Sequence, residues 1–193
     1  MSIHDLDKGR FLAKYGSPKH QEKLLTHPHD IVRAHLAKQG TDEHRDKLIH
    51  DPKPSVVAAA LSGRNPKHLD DHMYSDNTTI RKAVAKYGTV EHHALMMHDR
   101  NPEVRASVGQ HTPDTYITDK LAQDSDHYVR AAVASNPHTA DRTIERLGED
   151  EHPYVRRHAS DEVQRRNPHA WHAETWGESA VHSFSNHQRL LSK

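Results

Sequence analysis

Twenty-one of the 193 residues are histidine and none is cysteine. Imidazole binds metals, moves protons and changes charge close to neutral pH, so histidine spacing bears directly on what chemistry is open to the chain. His68 and His72 are four apart, which places both on one side of a helix at the spacing of a two-histidine zinc pair. The residues between them are Leu69, Asp70 and Asp71, so the HExxH arrangement of zinc proteases is absent. Among so many histidines, pairs at this spacing arise by chance. His68 and His72 stand as weak metal candidates, and no metal or other cofactor is expected. A more regular set is His20, His44, His68 and His92, each 24 residues after the last, with Thr115 as the expected continuation. Two readings apply: rings packed at the starts of successive helices, or a row that repels itself on acidification.

Arginine forms a second series: Arg33, Arg81, Arg105, Arg130 and Arg156, each after a valine or isoleucine, with Val57 interrupting it. Asp76, Asp99, Asp124 and Asp150 lie five or six residues before the next arginine. An aspartate there can cap the coming helix and meet an arginine of its own or a neighbouring unit. The guanidinium groups are then either fasteners between units or a row facing an anionic partner, acidic protein or nucleic-acid phosphate. A strong nucleic-acid binder carries excess positive charge. Here 27 basic residues balance 27 acidic ones, and the first 97 residues hold 15 basic and 12 acidic side chains. Neither a Walker A motif, G-x-G-x-x-G, G-x-S-x-G nor a cysteine nucleophile is present, so an enzyme is not expected.

The elements that position these residues repeat. Ile31–Ala37, Ile80–Ala85, Val104–Gly109, Val129–Ala134 and Val155–Ser160 are copies of one pattern, and Val57–Ser62 is a copy without the arginine. First residues at 32, 57, 80, 104, 129 and 155 give a period of 23–26. Between them run Leu24, Leu48, Met73, Met96, Leu121 and Leu147, each three residues before His27, Asp51, Asp76, Asp99, Asp124 and Asp150 in turn. Apolar residues four apart, with alanine between, predict helices, and all ten prolines fall where a helix would begin or end. Gly16, Gly40 and Gly88 occupy equivalent positions expected of helix C-caps. The fold expected is all-α, an α-solenoid of two short helices per repeat of about 24 residues, stable only through stacking.

The run from Val129 to Thr139, followed by Leu147, Asp150, Val155 and Arg156, resembles the leucine-rich repeat variant, a bacterial HEAT-like repeat. The resemblance covers roughly residues 8–160. It implies α-helices alternating with shorter, partly 3₁₀ helices in a right-handed superhelix, and it implies no particular activity. Some members carry a cysteine-bound Fe–S cluster, which a chain without cysteine lacks the ligands to hold.

The organisation expected is a solenoid over residues 1–160 and a C-terminal cap and polar tail over 161–193. Trp171 and Trp176 are the cap's aromatic residues, or else an aromatic patch for a partner. No run of apolar residues is long enough to span a membrane and no secretory h-region opens the chain, so a cytoplasmic protein is expected. Its expected work is non-enzymatic: a scaffold for a macromolecular partner, protein in the first reading, with nucleic-acid backbone as the alternative and histidine-bound metal as a further one. The partner-binding candidates are Arg33, Arg81, Arg105, Arg130, Arg156, Trp171 and Trp176.

Overall fold

Alanine-rich segments punctuated by proline at their edges can form only short helices. The computed structural model, which describes residues 3–63 and 66–167, contains 13 α-helices and no strand among those residues. They are α1 (Ile3–Tyr15), α2 (Pro18–Leu24), α3 (Asp30–Gln39), α4 (Asp42–Leu48), α5 (Pro54–Ala60), α6 (Pro66–His72), α7 (Thr78–Tyr87), α8 (Val90–Met96), α9 (Pro102–His111), α10 (Thr115–Leu121), α11 (His127–Ala134), α12 (Asp141–Gly148) and α13 (Pro153–Arg166). From α3 onward, odd-numbered helices carry the Val-Arg segments; the even-numbered ones carry the leucine segments. The even-numbered helices are α throughout; the 3₁₀ turn, Leu61–Gly63, instead follows α5. The fold is an all-α helical-repeat solenoid. None of the described helices is long and apolar enough to cross a membrane.

The chain divides between Val104 and Arg105 into two compact units. In the first, α3 packs between α1 and α5, and α5 packs on α7. Val32, Leu36, Val56 and Val84 are fully buried at these contacts. Ala37 and Ala85, also fully buried, let the backbones approach. In the second, α13 packs on both α11 and α12. Val108, Val129, Val133 and Val155 are fully buried there, with Ile144 and Leu147 beneath them. Burying each such side chain stabilises by about 2 kcal/mol, and α3 shares its buried residues with both α1 and α5.

The structure shifts the repeat register at three points. Val56, not Val57, matches Val32 and Ile80: its N–H bonds to Lys53 O as theirs bond to His29 O and Asn77 O. Val57 therefore sits at the arginine position. Ser75 N bonds to His72 O just as Asp51 N bonds to Leu48 O and Asp99 N to Met96 O, so Ser75, not Asp76, fills the aspartate position. His72 likewise holds the place of Leu48, and Met73 that of Ile49 and Met97. The third shift moves the histidine series: the third residue of α10 is Ile117, not Thr115. With Val56 in place the spacing is regular at 24 up to Val104. Longer later repeats reflect extra loop residues at Pro113 and at Pro137–Thr139. Asn136 closes the second of these loops, its Nδ2 donating to Gly109 O at 2.7 Å and Thr112 O at 2.8 Å.

At the other end, α13 runs without a break through 160 and on to Arg166, so the expected solenoid boundary falls inside this helix. Most of the expected cap, and the tail beyond it, lie outside the described residues.

Gly40 and Gly88 are C-caps, but in extended rather than left-handed conformation, with φ −78° and −71°. Glycine is required there for space. A Cβ on Gly40 would stand 2.6 Å from Leu36 O and 2.7 Å from the His44 ring; on Gly88 it would stand 2.6 Å from Val84 O and 2.9 Å from His92 Cβ. Gly88→Ala is expected to lower stability by about 1–3 kcal/mol, the usual cost of overpacking, measured as a reduced urea midpoint. An unchanged midpoint would show that the loop opens freely.

Candidate partner-binding surface

Each arginine of the series sits at the fourth position of a long helix, close to the loop that enters it. Its Nη1 turns back onto that loop: Arg33 to His27 O at 2.6 Å, Arg81 to Ser75 O at 2.8 Å, Arg130 to Asp124 O at 2.9 Å and Arg156 to Asp150 O at 2.7 Å. The Nε–Nη2 edge reaches forward to the aspartate of the next loop. Arg33–Asp51, Arg81–Asp99, Arg105–Asp124 and Arg130–Asp150 are bidentate pairs at 2.6–3.1 Å. Every aspartate also accepts the backbone N–H two residues on: from Lys53, Asn101, Asp126 and His152. The helix N-cap is therefore that later residue and not the aspartate, as Asp126 shows by accepting from Tyr128 N and Val129 N. One arginine thus ties its own entry loop to the next repeat's.

The paired side chains are 5–17% exposed. Burial alone would raise the carboxyl pKa values and is the largest single influence on Asp51, Asp99 and Asp124. The arginine hydrogen bonds, the backbone N–H and the positive charge together outweigh it, and all three fall below the ordinary value. At Asp150 the Arg130 hydrogen bond is itself the dominant influence, and the pKa again falls.

Where the arginine is missing, so is the aspartate. Val57 stands opposite Ser75. Gly9, 24 residues before Arg33, stands opposite His27. Both replacements still accept the N–H two residues on, Asn77 N to Ser75 Oγ and His29 N to His27 Nδ1. Neither of these two junctions therefore presents a carboxylate to a missing guanidinium, the state that costs most.

The histidine series forms a second set of inter-repeat links. The fifth residue of one short helix is acidic and meets the third residue of the next. Glu22 lies 3.6 Å from His44 Nε2, Asp46 3.0 Å from His68 Nε2 and Asp70 3.0 Å from His92 Nε2. Asp119 accepts from Thr143 Oγ1 in the same way. His44 and His92 also accept, through Nδ1, the N–H of Thr41 and Thr89, closing capping boxes. Of the rings expected to repel one another, His44, His68 and His92 each have a carboxylate of the preceding repeat near Nε2 instead, and His20 Nδ1 lies 2.9 Å from Ser17 Oγ.

The two weak metal candidates do not converge. His68 is engaged by Asp46, and His72 Nδ1 is within 2.8 Å of His68 O. Among the described residues no group of three or more His, Cys, Asp or Glu side chains is arranged to hold a metal ion.

Arg33, Arg81 and Arg130 are buried and, with Arg105, paired, so these four do not offer the free guanidinium row that the sequence allowed. Arg156 alone of the series is exposed. Trp171 and Trp176 lie outside the described residues. Instead, in the second unit an aromatic patch gathers at the starts of α11 and α13. The His127 and His152 rings stack at 3.9 Å, Tyr128 meets Tyr154 edge to face at 5.5 Å, and Tyr154 meets His158 at 4.5 Å. Tyr128 is 59% exposed and Tyr154 41%. The sequence carried the signal: Tyr128 and Tyr154 each lie one residue before the valine of a repeat, at a position held elsewhere by Ile31, Ser55, Thr79 and Glu103.

No family model and no curated protein matches the sequence. Among solved structures, the chain is similar to a leucine-rich repeat variant described as having a novel repetitive protein structural motif, with 21% identity, a TM-score of 0.47 and 82% of each chain covered.

Arg81→Val is expected to destabilise by about 2–3 kcal/mol, because Asp99 keeps its burial and loses its guanidinium. Adding Asp99→Ser, which reproduces the Val57–Ser75 junction, is expected to restore most of that loss. Strictly additive single and double variants in urea unfolding would contradict the pairing rule. Since the four aspartates titrate below their unfolded value of 3.8, their contribution is complete at neutral pH. It should fade as pH falls below about 4 and through the lowered folded values, with the unfolded state then binding more protons. A denaturation midpoint that stays flat from pH 6 to about pH 3 would count against this.

Proposed function

We propose that the protein is a non-enzymatic scaffold that binds another protein, with the aromatic patch of Tyr128, Tyr154, His127, His152 and His158 as its principal contact. The observation that carries this reading is the patch itself. Tyrosines 59% and 41% exposed, set by ring-to-ring contacts on two helix starts, offer area at little cost in side-chain entropy. Tyrosine is also among the residues that dominate binding energy when a partner covers it. A repeat scaffold suits such a role because its surface is built from units that vary independently while the core pairing stays the same. The nucleic-acid alternative finds less support, since Arg33, Arg81, Arg105 and Arg130 are each neutralised by an aspartate.

The test is capture of partners from an extract of the host by the immobilised chain and by the Tyr128→Ser/Tyr154→Ser variant. Both tyrosines are exposed, so the variant should keep its helical circular dichroism. A partner specific to the unmodified chain should bind the variant about 10- to 100-fold more weakly. Duplex DNA titrated at two salt concentrations should show no strong salt-sensitive binding. Capture unaffected by the double change, or salt-sensitive DNA binding, would reject the proposal.

A further inference from the structure

Two histidines outside the 24-residue series meet ring to ring. His127 opens α11 and His152 is the N-cap of α13, and their rings stack 3.9 Å apart at 17°. His152 also holds the start of its own helix, its Nδ1 accepting the N–H of Tyr154 at 3.3 Å. That nitrogen therefore carries no proton, and the neutral ring has its hydrogen on Nε2. Both tyrosines of the patch contact the pair. The His127 ring lies 4.2 Å from that of Tyr128 and edge-on to Tyr154 at 6.3 Å, and Tyr154 is edge-on to His152 at 6.5 Å.

The charged groups around the stack are largely committed elsewhere. Asp126 precedes His127, but its Oδ1 accepts from Tyr128 N and Val129 N. Asp150 holds the Arg130 fork and accepts from His152 N. Glu151 is exposed and lies 3.5 Å from Arg130 Nη2. Arg130 and Arg156 bring positive charge to the two entry loops, on Asp124 O and Ser125 O and on Asp150 O and Glu151 O. His158, further along α13, meets the Tyr154 ring at 4.5 Å and Ser135 Oγ at 2.7 Å. Both stacked rings sit at helix N-termini, where the backbone disfavours a cation.

Imidazole in water takes up its proton at about pH 6.5. One imidazolium can stay stacked on a neutral ring. Two cannot, because like charges at that separation repel more strongly than rings attract. A proton on His152 Nδ1 also turns the acceptor of the Tyr154 N–H into a donor, and the cap is lost. We propose that His127 and His152 make the aromatic patch a pH-gated surface. Their neutral stack presents Tyr128 and Tyr154 to the partner, and double protonation in mildly acidic solution parts the rings and releases it. The gate rests on the patch being the protein-binding surface.

The repeat itself supplies replacements that do not titrate. Asn101 holds the place of His152, two residues after its fork aspartate, and caps α9 by accepting Glu103 N at 2.8 Å. Thr78 opens α7 as His127 opens α11. The full chain labelled with 3-fluorotyrosine is followed by ¹⁹F NMR from about pH 7.5 to about pH 5, with Tyr128 and Tyr154 assigned from their serine variants. The unmodified chain is compared with His152→Asn, His127→Thr and, as a control, His158→Gln, and circular dichroism checks that each stays folded. Both resonances should move together in the unmodified chain. His152→Asn and His127→Thr should each remove most of that movement, and His158→Gln should keep it. Protein retained by the immobilised chain through Tyr128 and Tyr154 is then washed at the lower pH. Retention should fall about tenfold on the unmodified chain, as the stacked state falls to about a tenth, and less than about twofold on the His152→Asn chain. Resonances that do not move, that move unchanged in His152→Asn, or that stop moving only in His158→Gln would overturn the gate. So would retention that falls equally on both chains. With no tyrosine-dependent retention at either pH, the binding reading fails and the release step with it, and resonances that still titrate through the stack place the fault in that reading.

Discussion

The Arg–Asp fork is the interaction on which the regularity of this protein depends. Helices of seven to ten residues are too short to persist alone, and their connecting loops carry most of the unsatisfied backbone polar groups. A guanidinium supplies donors in a fixed plane, enough to bind the loop before its own helix and the carboxylate of the loop after it. Asp124 shows the continuity. Its side chain is held by Arg105 and its backbone carbonyl by Arg130, while its Oδ1 also orients Asp126. The charge pair does not act through large Coulombic gain, since desolvation cancels much of it. It fixes where each loop lies, and that fixes how the valines of successive helices meet.

The Glu/Asp–His contacts between short helices work alongside these forks. A fork junction has either both partners or neither, as Val57 with Ser75 and Gly9 with His27 show. A half-made pair would leave a partly buried charge or polar group unsatisfied, whereas a junction lacking both loses only a modest net contribution. Glycine enters the same design: Gly40 and Gly88 clear the space that lets the His44 and His92 rings fold back onto their threonine caps.

This internal pairing bears on function because it consumes the residues most able to bind anions. The excess of charged side chains with zero net charge, ambiguous in composition, becomes structural cross-linking in space. Surface variety remains at the helix starts, one residue before each repeat's valine, where side chains from isoleucine to glutamate to tyrosine occur without disturbing the core. The aromatic patch is built at two of these positions.

The sequence by itself determined the all-helical repeat, the two helices per unit and the positions of the turns. Those features follow from local rules: alanine propensity, apolar residues four apart, proline at the edges. It also held Arg, Asp and His in register. Only the tertiary structure decided which carboxylate each arginine takes, because Arg81 pairs with that of Asp99 in the next repeat and touches Asp76, five residues upstream, only through its backbone carbonyl. The same contacts corrected the register at Val56, Ser75 and Ile117, where residues one or two apart read alike until their backbone hydrogen bonds are known. The shared repeat position of Tyr128 and Tyr154 was legible in the spacing, but their meeting with the histidines in one patch was not. His127, Tyr128, His152 and Tyr154 become one surface because α11 and α13 pack side by side, and adjacency between repeats is a property of the fold.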